Sequence, residues 1–385
     1  MKTKHLNWKM AAVCAAAVLP LCTACNDDNN DDYLTIDPIE QPYGAYFIAE
    51  GSMGYNNSAL VAVNNDTTLL SDLYMASNSR GLGDTGQDVL YTAGRLFATV
   101  SGSGYLSEMD IRGYEVSRLA FDAATLGSPR YMVQQDGYLY VTLYGTGDCG
   151  YVAKVSYNDS LQLVDTVRVG SYPEQLAWVG GKLVTCNSGY GSGNTLSVID
   201  PETFKVEQTL TVDYNPTRIV TGTNGKGYYL TTSYNEYWQA TVTLHELNAA
   251  DWSSRTVQQF VGAEVRMANA ESALYLAVSA TADYVNFTTT LARVDYASGN
   301  YVESSFVKDE SLSTELSGKN VYMLAVNPFT QGIYIATSNY YTNSSLYVIS
   351  ASGFLKAKFA DAGGLNISGA TFANVNTSEV WIFGE

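Results

Sequence analysis

Histidine is nearly missing from this sequence. Of 385 residues only His5 and His245 are histidine, and His5 falls in a stretch expected to be removed. A single imidazole excludes multi-histidine metal sites and leaves a Ser-His-Asp arrangement with one candidate. That candidate, His245, stands mid-strand in Val242-Thr-Leu-His-Glu, the place of a structural side chain. Cysteine is also scarce: Cys14, Cys22, Cys25, Cys149 and Cys186 are all there are. A Cys149–Cys186 disulfide is the minor alternative, because Cys186 reads as strand and Cys149 as loop. Basic residues are few, 21 Lys and Arg against 38 Asp and Glu, for a formal charge of -17 at pH 7. Such an excess of acid repels nucleic acid and anionic membranes alike, and neither is expected as a partner. The acids show no metal-ligand spacing; Asp148, Glu174, Asp213, Glu236 and Asp283 are scattered one to a loop. With these groups lacking, an enzyme is not expected, and neither is a metal or an enzyme cofactor.

The amino terminus reads as an export leader. Lys2, Lys4 and Lys9 precede the apolar run Met10 to Leu21, which is too short to span a bilayer comfortably. It ends in Cys22-Thr23-Ala24-Cys25, which resembles a bacterial lipobox and implies cleavage after residue 24 and acylation of Cys25. An acidic tether follows, Asn26-Asp-Asp-Asn-Asn-Asp-Asp32, with nothing in it to build a core. Acid directly after a lipid cysteine resembles the surface-export signal of Bacteroidetes lipoproteins. The expected organisation is a leader over 1–24, a lipidated tether over 25–43, and one domain over 44–385, held at the outer membrane by its lipid alone and facing the exterior.

What is abundant is repetition. Phe47, Phe97, Tyr140, Val184, Tyr229, Tyr275, Tyr334 and Trp381 hold equivalent places in near-copies of Tyr-Val-Thr-Leu-Tyr-Gly, typified by Tyr140–Gly145. Their spacing is mostly about 45 residues, the signature of a propeller blade. Inner strands are predicted near Val89, Tyr131, Leu176, Ile219, Val265, Tyr322 and Thr371. The chain would enter on a second strand near Phe47 and leave after an inner strand near Phe372, so that its last inner strand completes the first blade and closes the ring. The expected fold is all-β, a seven-bladed propeller of four-stranded antiparallel blades, with eight irregular blades as the alternative. Glu379–Phe383 reads as a surplus second strand. The wide spacing before Tyr334 is attributed to a surface loop over Val307–Gly318.

Thirty tyrosines are the other excess. In a four-stranded blade the loop after the second strand and the loop between blades share one face. On that face the sequence places Tyr55, Tyr105, Tyr144, Tyr151, Tyr190, Tyr234, Tyr237, Trp238, Tyr284, Tyr340 and Tyr341, joined by Tyr172 and Tyr214 from between-blade loops. Asn56, Asn187, Asn235 and Asn339 interleave with them. Glycine and asparagine alone would make those turns. The hairpin turns expected on the opposite face, at Gly94, Gly137, Gly180-Gly181 and Asn224-Gly225, carry no aromatic residue. A rim of flat rings with hydroxyl tips suits a large neutral ligand rich in amides or hydroxyls.

Several of these stretches carry a family likeness. Gly-Ala-Tyr-Phe-Ile-Ala-Glu-Gly51, Asn-Ser-Ala-Leu-Val-Ala-Val63, Ser-Pro-Arg-Tyr131, Tyr-Pro-Glu-Gln-Leu176 and Leu-Ser-Val-Ile-Asp-Pro201 resemble the YncE-like seven-bladed propeller lipoproteins of Bacteroidetes, over residues 44 to 385. Within that group the chain is similar to the cell-surface cobalamin-binding lipoproteins that hand vitamin B12 to a TonB-dependent outer-membrane barrel. The resemblance implies a corrinoid ligand on one propeller face and a transporter partner. A glycan-binding lipoprotein of a polysaccharide-uptake system and a protein-binding scaffold or adhesin are the alternatives.

Overall fold

The computed structural model describes residues 44–64 and 66–374. The leader, Cys25, the tether and the strand expected at Glu379–Phe383 lie outside the described residues. Seven sheets of four antiparallel strands form the domain, a seven-bladed β-propeller. Blades are numbered here in chain order. The first enters on Ala45–Ala49, continues through Ala59–Asn64 and Thr68–Leu70, and receives its inner strand, Ile367–Phe372, from the far end of the chain. Ala45 pairs with Phe372, Tyr46 with Thr371 and Phe47 with Ala370. This closure pairs the edge of Ala45–Ala49 that would otherwise be open and completes the ring, in which each inner strand touches the next and the seventh touches the first.

Blade 4 shows how local sequence makes one unit. Gly180 and Gly181 both have positive φ, 57° and 78°, as a two-residue hairpin turn requires. They join the inner strand Pro173–Val179 to Lys182–Asn187, whose last five residues are buried. Thr195–Asp200 follows, then the outer strand Lys205–Thr211, in which every residue is exposed or half-buried. Pro173 begins the inner strand, where its missing N–H costs no ladder bond.

The core is not one body but seven seams. Each buried apolar cluster joins two neighbouring blades, for example Tyr140, Val152 and Val169 of blade 3 against Leu176, Leu183 and Phe204 of blade 4. The repeated aromatic position lies in these seams. Phe47 packs on Tyr334 at 5.6 Å between ring centroids, and Tyr140 meets Trp178 edge-on at 5.2 Å. His245 stacks on Tyr229 at 4.7 Å. Side chains also tie one inner strand to the next. Asp88 accepts the Met132 N–H at 2.9 Å, and Gln175 accepts the Ile219 N–H at 3.1 Å, an equivalent bond two blades further on.

The insertion over Val307–Gly318 is not a plain surface loop. It contains a helix, Glu310–Ser317, whose Asp309 carboxylate accepts the Leu312 N–H and whose Leu312 and Leu316 are buried in the seam between blades 6 and 7. Leucines four residues apart on one helical face give it something to pack with, a spacing that has no place in a period-2 strand pattern. A second short helix, Leu73–Asn78, covers the seam between blades 1 and 2.

Candidate functional site

The rim residues divide into three groups. Tyr55, Tyr190, Tyr214, Tyr234, Tyr237, Trp238, Tyr284 and Tyr341 are exposed; Tyr234 ends the second strand of blade 5, and the others lie in loops after second strands or between blades. A second group is half-buried, and the hydroxyls of Tyr144, Tyr151 and Tyr340 in it are already engaged. Tyr144 donates to Glu174, and Tyr340 donates to Glu264 at 3.0 Å while accepting from Asn320 at 2.9 Å. Tyr151 packs on the seam between blades 2 and 3, its hydroxyl 3.6 Å from the Cys149 sulfur. Tyr172 bridges Tyr144 and Tyr190, at 5.1 and 5.4 Å between centroids. The third group corrects the expectation of exposed tips. Tyr105 and Asn187 are buried, Tyr105 donating to the Leu82 carbonyl under the Arg118 guanidinium and Asn187 donating to Thr195 and Ser197. Both are end residues of strands buried on both faces, so neither phase of the pleat turns a side chain to solvent there.

Three asparagines lie at the rim, two of them with a turn-making task. The Asn235 side-chain Oδ1 accepts the Tyr237 and Gln239 N–H groups, and Asn339 Oδ1 accepts the Tyr341 and Thr342 N–H groups. Asn56 is exposed with φ 52°. The opposite face is not free of aromatics either. The four turns named above lack them, but Tyr114, Phe329 and Phe354 are exposed in other turns there.

The exposed rings do not form an even circle. Tyr234, Tyr237, Trp238 and Tyr284 line a hollow of about 800 Å³ between blades 5 and 6. A shallower hollow of about 570 Å³ adjoins it toward blade 4, shares Tyr234, Trp238 and Tyr284, and adds Tyr190. Tyr55 and Tyr341, on blades 1 and 7, line neither. The larger hollow opens beside the shortest inner strand in the ring, Arg218–Thr221.

Beneath the aromatics lies a charged layer that the sequence reading did not single out. Arg130 is held by Glu174 at 3.1 Å and by Gln87, with the Tyr144 ring 4.6 Å from its guanidinium. Arg266 is held by the Tyr322 carbonyl at 2.7 Å and Glu264 at 3.2 Å. Glu50 accepts the Tyr322 hydroxyl at 2.8 Å, and burial raises its pKa despite three nearby arginines. Burial likewise pushes the Tyr340 hydroxyl up to about 12. The signal was present in the sequence as arginine or acid near the start of successive inner strands, in Pro129-Arg-Tyr, Pro173-Glu-Gln and Pro216-Thr-Arg.

His245 takes no part in this layer. Its Nε2 lies 2.9 Å from the Thr231 hydroxyl and 3.4 Å from Asp213, and burial lowers its pKa. Cys149 and Cys186 are both free thiols, Cys186 buried in the second strand of blade 4.

Asp88 gives a pH prediction. Burial pushes its carboxyl up to about 7 from an ordinary 3.8. An acid whose pKa is higher folded than unfolded stabilises the fold while protonated, and that contribution is lost as pH climbs from about 4 through about 7. Asp88→Asn mimics the neutral acid and can keep the Met132 bond. Its urea midpoint relative to wild type should therefore rise between pH 5 and pH 8, and an offset that stays constant with pH would refute the assignment.

The fold is shared by several solved structures. A candidate 6-phosphogluconolactonase from Bacteroides uniformis aligns with a TM-score of 0.60 at 11% identity, covering 86% of this chain and 100% of that one. A second candidate 6-phosphogluconolactonase, from Bacteroides fragilis, gives 0.57 at 11%, with 86% and 98% covered. Kuenenia stuttgartiensis hydrazine synthase gives 0.57 at 13%, with 74% and 88% covered. These are likenesses of architecture alone. No family model and no curated protein matches the chain.

Proposed function

We propose that this propeller is a binding protein and not a catalyst: a lipid-anchored receptor on the outer membrane that captures cobalamin or a related corrinoid and passes it to a TonB-dependent barrel. The observation that carries this reading is the pair of adjoining hollows, about 800 and 570 Å³, walled by Tyr190, Tyr234, Tyr237, Trp238 and Tyr284. Their combined size and flat apolar walls suit a conjugated macrocycle fringed with amides, which stacks on rings and hydrogen-bonds at its edge. The concavity favours a compact ligand over the flat protein partner of an adhesin.

Calorimetric titration of the purified chain with cyanocobalamin tests the reading. One-to-one binding with retained red colour after gel filtration is expected. Neither heat nor colour with any corrinoid would remove it, and heat with oligosaccharides instead would replace it with the glycan-uptake reading.

A further inference from the structure

Arg218 opens the inner strand of blade 5 and lines the larger hollow together with Arg266. As the first residue of an inner strand it stands on the inner circle of the ring, where the inner strands of blades 4 and 6 flank its own. Among the described residues its guanidinium has no hydrogen-bond or ion-pair partner, whereas Arg130 and Arg266 are both held. The acids around it are committed elsewhere. Glu174 serves Arg130 and Tyr144, Glu264 serves Arg266 and Tyr340, and Glu50 takes the Tyr322 hydroxyl. Burial and the like charge of Arg266 both draw the Arg218 pKa below the ordinary arginine value.

A half-buried guanidinium lining a hollow beside a second cation, its N–H fork met by no protein group, is less favourable in the free protein than a paired one. An oxyanion between the two arginines removes that cost, because its oxygens match the fork in a bidentate pair and its charge offsets the repulsion. The aromatic walls above leave room for the rest of a ligand, so the anion need not arrive alone.

We propose that the floor of the larger hollow is an oxyanion subsite, in which Arg218, backed by Arg266, grips a phosphodiester on a ligand whose flat part stacks on Tyr234, Trp238 and Tyr284. This rests on the reading of the aromatic hollow as the binding site, and it changes the ligand class from wholly neutral to one with a negative group a few bonds from a planar body. Cobalamin has such a group in its nucleotide loop; cobinamide lacks it.

Wild type, R218Q and R218K are titrated with inorganic phosphate against chloride at constant ionic strength, following tryptophan fluorescence and melting temperature, and then with cyanocobalamin and with cobinamide. In wild type phosphate should saturate and raise the melting temperature, and in R218Q that response should vanish. R218Q should weaken cyanocobalamin at least roughly tenfold and cobinamide by less than about twofold, with R218K between, as expected for a charge-assisted pair. Without ligand R218Q should melt no lower than wild type, since the side chain removed had no partner. An equal phosphate response in wild type and R218Q, or equal weakening of both corrinoids, overturns the subsite. If neither corrinoid binds wild type, the cobalamin reading fails, and the phosphate titration alone decides the subsite. Should R218Q not fold, lack of any saturable phosphate response in wild type overturns the proposal, as does a response undiminished in R218K.

Discussion

A chain ending at Asn366, without the strand Ile367–Phe372, is expected to show no cooperative thermal transition. That strand is the inner member of blade 1 and contributes to two seams. Ile367 is buried between blades 7 and 1, and the Thr371 hydroxyl accepts the Tyr91 N–H of blade 2 at 2.8 Å. Its loss would strip the ladder from Ala45–Ala49, all five of whose residues are fully buried. About five ladder bonds at roughly 1 kcal/mol each, with a buried isoleucine and a half-buried phenylalanine at roughly 1.5–3 kcal/mol each, come to about 10 kcal/mol. Domains have about 5–15 kcal/mol in total. Circular dichroism at a β-sheet wavelength should show a broad, non-sigmoidal melt, with dye binding to the exposed edge. A sharp transition within a few degrees of the full chain would mean that the ring is stable open and that closure by this strand is not what holds it.

The same strand shows why the architecture was legible. A period near 45 residues and alternating apolar positions specify a blade, and the arithmetic of inner against second strands requires the last to join the first. All seven predicted inner strands and the closing pair are present. The site was legible only in part, because membership of a loop says where a residue is and not where its side chain points. Tyr105 and Asn187 lie beside glycine-rich turns, yet each is also the end residue of a strand buried on both faces. The Glu310–Ser317 helix escaped because a period-2 reading has no place for a two-leucine helical face. The charged layer was missed for another reason. Taken along the chain, Arg130, Arg218 and Arg266 are isolated cations in an acidic sequence, and only the closed ring brings them together.

The second large effect concerns binding. Replacing Tyr234, Trp238 and Tyr284 together by alanine should lower affinity for the corrinoid by at least about 100-fold, since a stacked ring contributes roughly 1–3 kcal/mol and 1.4 kcal/mol is a factor of ten. These three rings are 52, 81 and 59% exposed in the free protein, so they hold little of the fold together and the melting temperature should barely move. That separation makes the experiment decisive, because lost binding cannot then be lost structure. Tyr55 and Tyr341 are the matched control. They are 77 and 85% exposed on blades 1 and 7, on the same face but outside both hollows, and their double alanine variant should bind as wild type does. Calorimetry on the two variants distinguishes an off-centre cup over blades 4 to 6 from a ligand spread around the whole ring. Equal losses in both would favour the ring, and no loss in either would mean that the ligand does not rest on these aromatics.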